Sequence, residues 1–276
     1  MRLVSFLKEG HWAPAIQRGD QIVEIAGPEA ASTQAVIAAL MAKRPLREGP
    51  AHKLADITLG MPIPAPGKVV CIGLNYVDHA KEGGNPIPTY PAVFLRANSS
   101  LLAHGQPLLL PPCSEQFDYE AELAVVIGKT ATRVSEADAL AHVLGYACFN
   151  DGSIRDYQRK STQWTVGKNF DGTGAFGPAI VTADELPAGA KGLSVRCRLN
   201  GKTMQDGNTH DMIFSIAHIV SVLSEAMTLE PGDVIITGTP AGVGYPRKPP
   251  VFLKPGDVCE IEIEGVGTLS NPVTAA

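Results

Sequence analysis

The stretch "FDYEAELAVVIG", from Phe117 to Gly128, constrains this chain more than any other. Strand alternation places Asp118, Glu120 and Glu122 on one face and Phe117, Tyr119, Ala121, Leu123, Val125 and Ile127 on the other. The segment then runs into apolar positions that read as buried. Carboxylates leading into a core need a counter-charge, because unpaired they repel one another and are pushed toward protonation. Residues two apart on a strand lie roughly 7 Å apart on one side, so the long side chains of Glu120 and Glu122 can converge on one ion. A further carboxylate, Asp151, ends a second apolar run, "HVLGYACFND", which follows a helix-like "VSEADALAHVLGY". An all-oxygen site of this kind, with water or substrate completing an octahedron, suits Mg2+ or Mn2+ better than zinc, which prefers His and Cys. A solvated face on an edge strand fits the same alternation, and Asp118 shares that face in either case.

Bulk properties narrow the setting. A chain of 276 residues can build one large core, or a small domain beside a bigger one. The net charge is −5, and the 23 Lys and Arg residues are scattered without a basic patch, so a nucleic-acid partner has little electrostatic support. The five cysteines are far apart and mostly set among strand-like apolar residues, which reads as reduced core thiols, not a disulfide framework or a zinc site. The opening "MRLVSFLKEG" is too short and too charged for a signal peptide, and no apolar run approaches a membrane span. The expectation is a cytoplasmic protein without a membrane partner.

In chain order, "MRLVSFL", "HWAPAIQRG" and "QIVEIA" read as short strands, followed by a helical "STQAVIAALMAK". The Pro- and Gly-rich segment Met61 to Lys68 marks the expected boundary between a small α+β domain at 1–62 and the main domain at 63–276. Val69 to Ile72 reads as a buried strand, and Asn75 as the cap of a short helix carrying Tyr76, His79 and Glu82 before Gly83-Gly84. His79 and Glu82 are three apart and share a face, which suits a carboxylate that orients a histidine base. A surface salt bridge satisfies the same spacing. After Asp151, a glycine-dense polar stretch holds Arg155, Gln158 and Lys168, groups able to grip an anionic substrate, although Arg155, Asp156 and Arg159 also suit exposed helix charge pairs. The last third reads as a hairpin turning at Asn200-Gly201, then an amphipathic helix capped by Thr209 or Asp211. Two Pro-Gly-Asp turns follow, with the Gly-rich "TGTPAGVG" and its Thr239 between them; its backbone N–H groups can hold a carboxylate.

Taken together, "IGLNYVDHAKE", "FDYEAELAVVIGK", "FNDGSIRDYQ", "VGKNFDGTGAFGP", "DGNTHDMIFSIAHIVSVLS" and "LEPGDVIITGTPAGVG" resemble the fumarylacetoacetate hydrolase family, in its motif order and over roughly residues 67–273. The resemblance implies an α+β fold with a mixed β-roll, a homodimer, and Mg2+ or Mn2+ held by Glu120, Glu122 and Asp151. It also implies catalytic roles for His79, Glu82 and Lys168, and substrate contacts from Arg155, Gln158 and Thr239. Arg96 stands where the family often has Lys, and an arginine fork there suits the far carboxylate of a diacid.

By the same resemblance the substrate is a small anionic oxo acid. The first expectation is hydrolysis of a C–C bond in an acylpyruvate or related 1,3-diketo acid, with His79 activating water and Lys168 and the metal stabilising the enolate product. The alternative is an isomerase, tautomerase or decarboxylase of hydroxymuconate-type acids in aromatic catabolism, which uses the same enolate chemistry. A more distant alternative is an inactive structural or binding homologue.

Overall fold

The computed structural model describes residues 1–276. Antiparallel strands open the chain: β1 (Arg2–Lys8), β2 (His11–Arg18) and β3 (Gln21–Ala26). Helix α1 (Thr33–Met41) follows, capped by the Ser32 hydroxyl, which accepts from the Ala35 N–H. Its buried side chains are Val36, Ile37 and Ala39. Next come β4 (Arg47–Lys53) beside β3 and β5 (Leu59–Gly60) beside β1. Past the Pro-rich segment lie β6 (Val69–Gly73), the short helix α2 (Val77–Glu82) and β7 (Ala92–Arg96). The middle of the chain supplies β8 (Leu101–Leu102), β9 (Leu108–Leu110), β10 (Phe117–Asp118), β11 (Ala121–Ile127), α3 (Glu136–Ala139), β12 (Val143–Asp151) and β13 (Ser153–Ile154). Two short helices, α4 (Arg155–Gln158) and α5 (Thr165–Lys168), lead to β14 (Gly174–Thr182). The last third contains β15 (Ser194–Leu199), β16 (Lys202–Asn208), α6 (Ile216–Ala226), β17 (Val234–Ile236), β18 (Val258–Ile263) and β19 (Gly267–Ala275).

These strands form a twelve-stranded mixed sheet in the order β4-β3-β2-β1-β14-β12-β11-β17-β6-β7, with β5 and β8 attached, a five-stranded sheet in the order β16-β15-β18-β19-β9, and the antiparallel pair β10-β13. The fold is the mixed α+β roll expected. β1 pairs antiparallel with β14, Arg2 opposite Val181 and Leu3 opposite Ile180, so the large sheet runs unbroken across the Met61–Lys68 segment. The division at residues 62 and 63 is therefore a proposal about chain organisation laid over one continuous sheet.

The centre of the roll is β11, buried along its whole length. Leu123, Val125 and Ile127 join Val195, Cys197 and Ile261 from the five-stranded sheet in one apolar cluster. Ala124 and Val126 join Val36, Ile37 and Val69 in another. The face division read from the alternation is observed, with both faces covered, so the solvated edge strand is ruled out. Full burial of a side chain such as Leu123 is worth about 1.5–3 kcal/mol, which pins the register that presents the glutamates.

Three local expectations differ from the structure. Asn75 does not cap α2; it is buried, its amide donating to the carbonyls of Thr237 (2.8 Å) and Phe214 (3.1 Å) and accepting from the Phe214 N–H (2.7 Å). The helix in "VSEADALAHVLGY" ends at Ala139, with a turn at Leu140–His142, because Val143 onward pairs with β11. Helix α6 is capped by Ser215, not Thr209 or Asp211, its hydroxyl accepting from the His218 N–H at 3.2 Å.

Candidate active site

The ends of β11 and β12 bring the carboxylates together. Ala121 pairs with Asn150, and Asp151 donates its N–H to the Glu120 carbonyl at 3.0 Å. Register thus sets Asp151 beside Glu120 although 31 positions separate them, 151 minus 120. Glu120, Glu122 and Asp151 are all buried, with ligand oxygens within 4.8 Å of one another. The Asn150 side chain locks this corner by accepting the Glu120 N–H at 3.1 Å.

Cations close around them. Lys168 Nζ lies 2.6 Å from Glu120 Oε2 and 2.5 Å from Asp151 Oδ2. Its position comes from Gly167, where an added Cβ would stand 2.3 Å from the Gln158 nitrogen; only glycine lets α5 pack this tightly on α4. Arg155 Nη1 is 2.7 Å from Glu120 Oε1, and Nε and Nη2 are each 2.8 Å from Asp118 Oδ2. Asp118 also accepts the N–H groups of Gly244 (2.7 Å) and Tyr245 (2.9 Å), which makes it the anchor of the Gly-rich loop.

Arg96 is where sequence reasoning goes astray. Its side chain is fully enclosed and does not line the cavity: it donates to Asp151 Oδ1 at 2.5 Å, Thr173 Oγ1 at 2.9 Å and Ser100 Oγ at 3.2 Å. Contact with a substrate carboxylate is therefore corrected to a buried brace behind Asp151, because inward alternation on β7 points Phe94 and Arg96 away from solvent.

A cavity of about 400 Å3 opens over this cluster. His79, Glu82, Gln158 and Thr239 line it along with the carboxylates, so every other expected site residue faces one space. His79 Nδ1 is 3.0 Å from Glu82 Oε1, and the Glu82 carboxylate also accepts the Gly242 N–H at 3.0 Å. A carboxylate that accepts from both sides places the proton on Nδ1 and leaves Nε2 with its lone pair. The Thr239 hydroxyl donates to the Ala121 carbonyl at 2.9 Å and accepts from Gln205 Nε2 at 2.7 Å, which leaves it no further proton to donate. Gln158 Oε1 accepts from Arg155 at 2.9 Å, and this fixes its amide with the NH2 group free. Sequence reasoning missed Gln205, which pins the loop to Ala121, and the wall formed by Phe94, Trp164 and Tyr245. Nothing in their local pattern signals a site.

Counting charges tests whether a cation belongs here. The cluster holds four buried carboxylates, Asp118, Glu120, Glu122 and Asp151, against three cations, Arg96, Arg155 and Lys168: four minus three leaves one negative charge. The excess falls on Glu122, whose carboxylate accepts only the Gly238 N–H, at 2.5 Å. Burial and then the charges of Asp151 and Glu120 push its pKa well above the ordinary range. Burial opposes the charged form of Glu120 as well, but Lys168 and Arg155 outweigh it and hold that pKa below its usual value. A divalent cation would offset this excess, and Glu120, Glu122 and Asp151 are the residues that could hold it.

Residues 68–274 match the family described as fumarylacetoacetate (FAA) hydrolase C-terminal. The chain belongs to the fumarylacetoacetate hydrolase family. A mitochondrial oxaloacetate tautomerase of Xenopus laevis, fahd2, is 46% identical over 221 residues, 79% of this chain and 69% of that one. Among solved structures, 5-carboxymethyl-2-hydroxymuconate delta-isomerase of Mycobacterium smegmatis superposes with TM-score 0.83 at 34% identity, covering 100% of both chains. Fumarylacetoacetate hydrolase of the psychrophile Exiguobacterium antarcticum does so with TM-score 0.86 at 36% identity, again over 100% of both chains. This family member is accordingly an enzyme-fold protein with a carboxylate triad suited to a metal. Its expected cytoplasmic location does not stand against the mitochondrial relative. The free thiols behind that expectation suit any reducing aqueous compartment equally well.

Proposed function

We propose that this protein interconverts the enol and keto forms of a small 2-oxo acid, with oxaloacetate as the test substrate and Mg2+ or Mn2+ as the cofactor. The carrying observation is the His79–Glu82 pair: an imidazole facing the triad's cavity, its Nδ1 held by a carboxylate that the Gly242 N–H fixes in place. Tautomerisation needs one group that takes a proton from the enol oxygen and returns one to the adjacent carbon, with no second reactant. His79 Nε2 performs both transfers, and Glu82 stabilises the imidazolium between them. Lys168 keeps its positive charge, since Asp151 and Glu120 outweigh the cost of burial and raise its pKa, and it offsets the negative charge that develops on the substrate oxygen. A divalent cation on Glu120, Glu122 and Asp151 would withdraw charge from the 2-oxo and carboxylate oxygens. Gln158 offers its free amide N–H groups to the bound acid.

The tautomerase and isomerase named among the relatives support this reading over C–C hydrolysis, the first expectation from sequence. Hydrolysis is the second reading, favoured by the Exiguobacterium antarcticum hydrolase, since the same dyad can activate water.

The test uses Mg2+-loaded protein with oxaloacetate and, separately, acetylpyruvate. The expected result is loss of enol absorbance from oxaloacetate faster than in buffer, with no pyruvate from either compound. In His79→Ala the catalysed rate falls by about 10²–10⁴. Pyruvate from acetylpyruvate would establish hydrolysis instead, and pyruvate from oxaloacetate would establish decarboxylation.

A further inference from the structure

Three cationic side chains of Lys or Arg line the cavity: Arg155, Arg159 and Lys168. Two are held by the carboxylates. Lys168 bridges Glu120 and Asp151, and the Arg155 guanidinium is paired with Asp118, Glu120 and Gln158. Arg155 Nη2 makes no hydrogen bond, but it is buried against Asp118 at 2.8 Å and not exposed at the cavity mouth. Arg159 is different: it makes no ion pair, it is exposed at the cavity mouth, and its guanidinium lies 4.6 Å from the Tyr245 ring centroid.

That position is built, not incidental. The Arg159 N–H donates to the Arg155 carbonyl at 3.2 Å, so Arg159 sits one helical turn beyond the residue that touches Glu120. Tyr245, the platform beneath it, is fixed through its own N–H on Asp118, the carboxylate that also holds Arg155. A cation–π contact uses none of the N–H donors of a guanidinium, which stay free to take a carboxylate in two parallel hydrogen bonds.

We propose that Arg159, set over the Tyr245 ring, binds the distal carboxylate of the substrate, so that the cavity selects oxo-diacids over oxo-monoacids. The assignment rests on the oxo-acid reading above and adds to it the class of acid.

Titration calorimetry on the Mg2+-loaded protein decides the matter with two unreactive 2-hydroxy acids that differ only at the far end, malate and its 4-methyl ester. Wild type should bind malate at least about tenfold more tightly than the ester, Arg159→Met should erase that preference, and Arg159→Lys should restore part of it. In kinetics, Arg159→Met should raise KM for oxaloacetate by a similar factor and leave the KM of its 4-methyl ester far less affected. Equal wild-type affinity for the two ligands, failure of malate to bind, or a preference that survives in Arg159→Met with its circular dichroism intact would overturn the assignment. Absence of oxaloacetate turnover would instead overturn the tautomerase reading, and the calorimetry would still decide the role of Arg159.

Discussion

The guanidinium of Arg155 touches Asp118 and Glu120 at 2.7–2.8 Å and is almost wholly buried, with 8% of its side chain exposed. Its motif position suggests substrate contact, and it lines the cavity while also bracing two carboxylates. Removing one partner of a buried ion pair leaves an uncompensated charge, at a cost of about 3–5 kcal/mol. Arg155→Met should therefore lower the free energy of unfolding by about that amount in urea titrations. A stable variant with only a raised KM would return Arg155 to the substrate. The candidate metal residues were legible through the family resemblance: E-x-E alternation and an Asp ending an apolar run pointed to a carboxylate cluster, and the matched motifs chose Glu120, Glu122 and Asp151 over Asp118. Arg96 and Arg159 were not, because whether an arginine is enclosed or free depends on neighbours 55 positions away, as Asp151 is from Arg96.

At the scale of elements, strand existence followed from alternation and turn residues, whereas helix caps did not. Asn75 has the chemistry of a cap, yet tertiary partners claimed it; Ser215 won over Thr209 and Asp211 because Thr209 is occupied by Leu193 and Ala190. A similar cross-strand junction gives a pH test. Glu24 on β3 accepts from Lys8 of β1 at 2.5 Å and pairs with His52 of β4 at 2.7 Å. Burial opposes its ionisation, but the bonds from Lys8 and His52 outweigh burial and hold its pKa below the ordinary 4.5. The folded state then binds fewer protons at Glu24 than the unfolded chain does. Its stabilising contribution is complete above the ordinary glutamate range and is lost as pH falls through the lowered value. Glu24→Gln should accordingly lower Tm near neutrality and flatten the acid limb of the Tm–pH curve. An unchanged acid limb would refute the linkage.

Over the whole molecule, the large sheet ends at β7, whose outward side chains Val93 and Leu95 are 42% and 50% exposed. Val166 on α5, the helix packed against β7, is 60% exposed, and Ile87 and Tyr90 lie exposed in the segment leading into the strand. An apolar edge strand invites pairing or covering. We propose this edge as the seam of the expected homodimer: light scattering on purified protein should then give twice the 29.1 kDa chain mass, and Leu95→Lys should shift it toward monomer. A wild-type monomer at all concentrations would dismiss the seam. No helix is long and apolar enough to cross a membrane.

The sequence by itself determined the strand alternation of "FDYEAELAVVIG" by local periodicity and the family by motifs carried in order, and the choice of Glu120, Glu122 and Asp151 as candidate ligands came with that resemblance. The tertiary structure alone decided that both faces of that strand are covered, that Glu122 is the carboxylate left without a cation, and that Arg159 is the free one. The physical reason is that burial and charge balance are sums over groups from many elements. Alternation can place three acids on one face, but only the packed roll shows which of them still lacks a counter-charge.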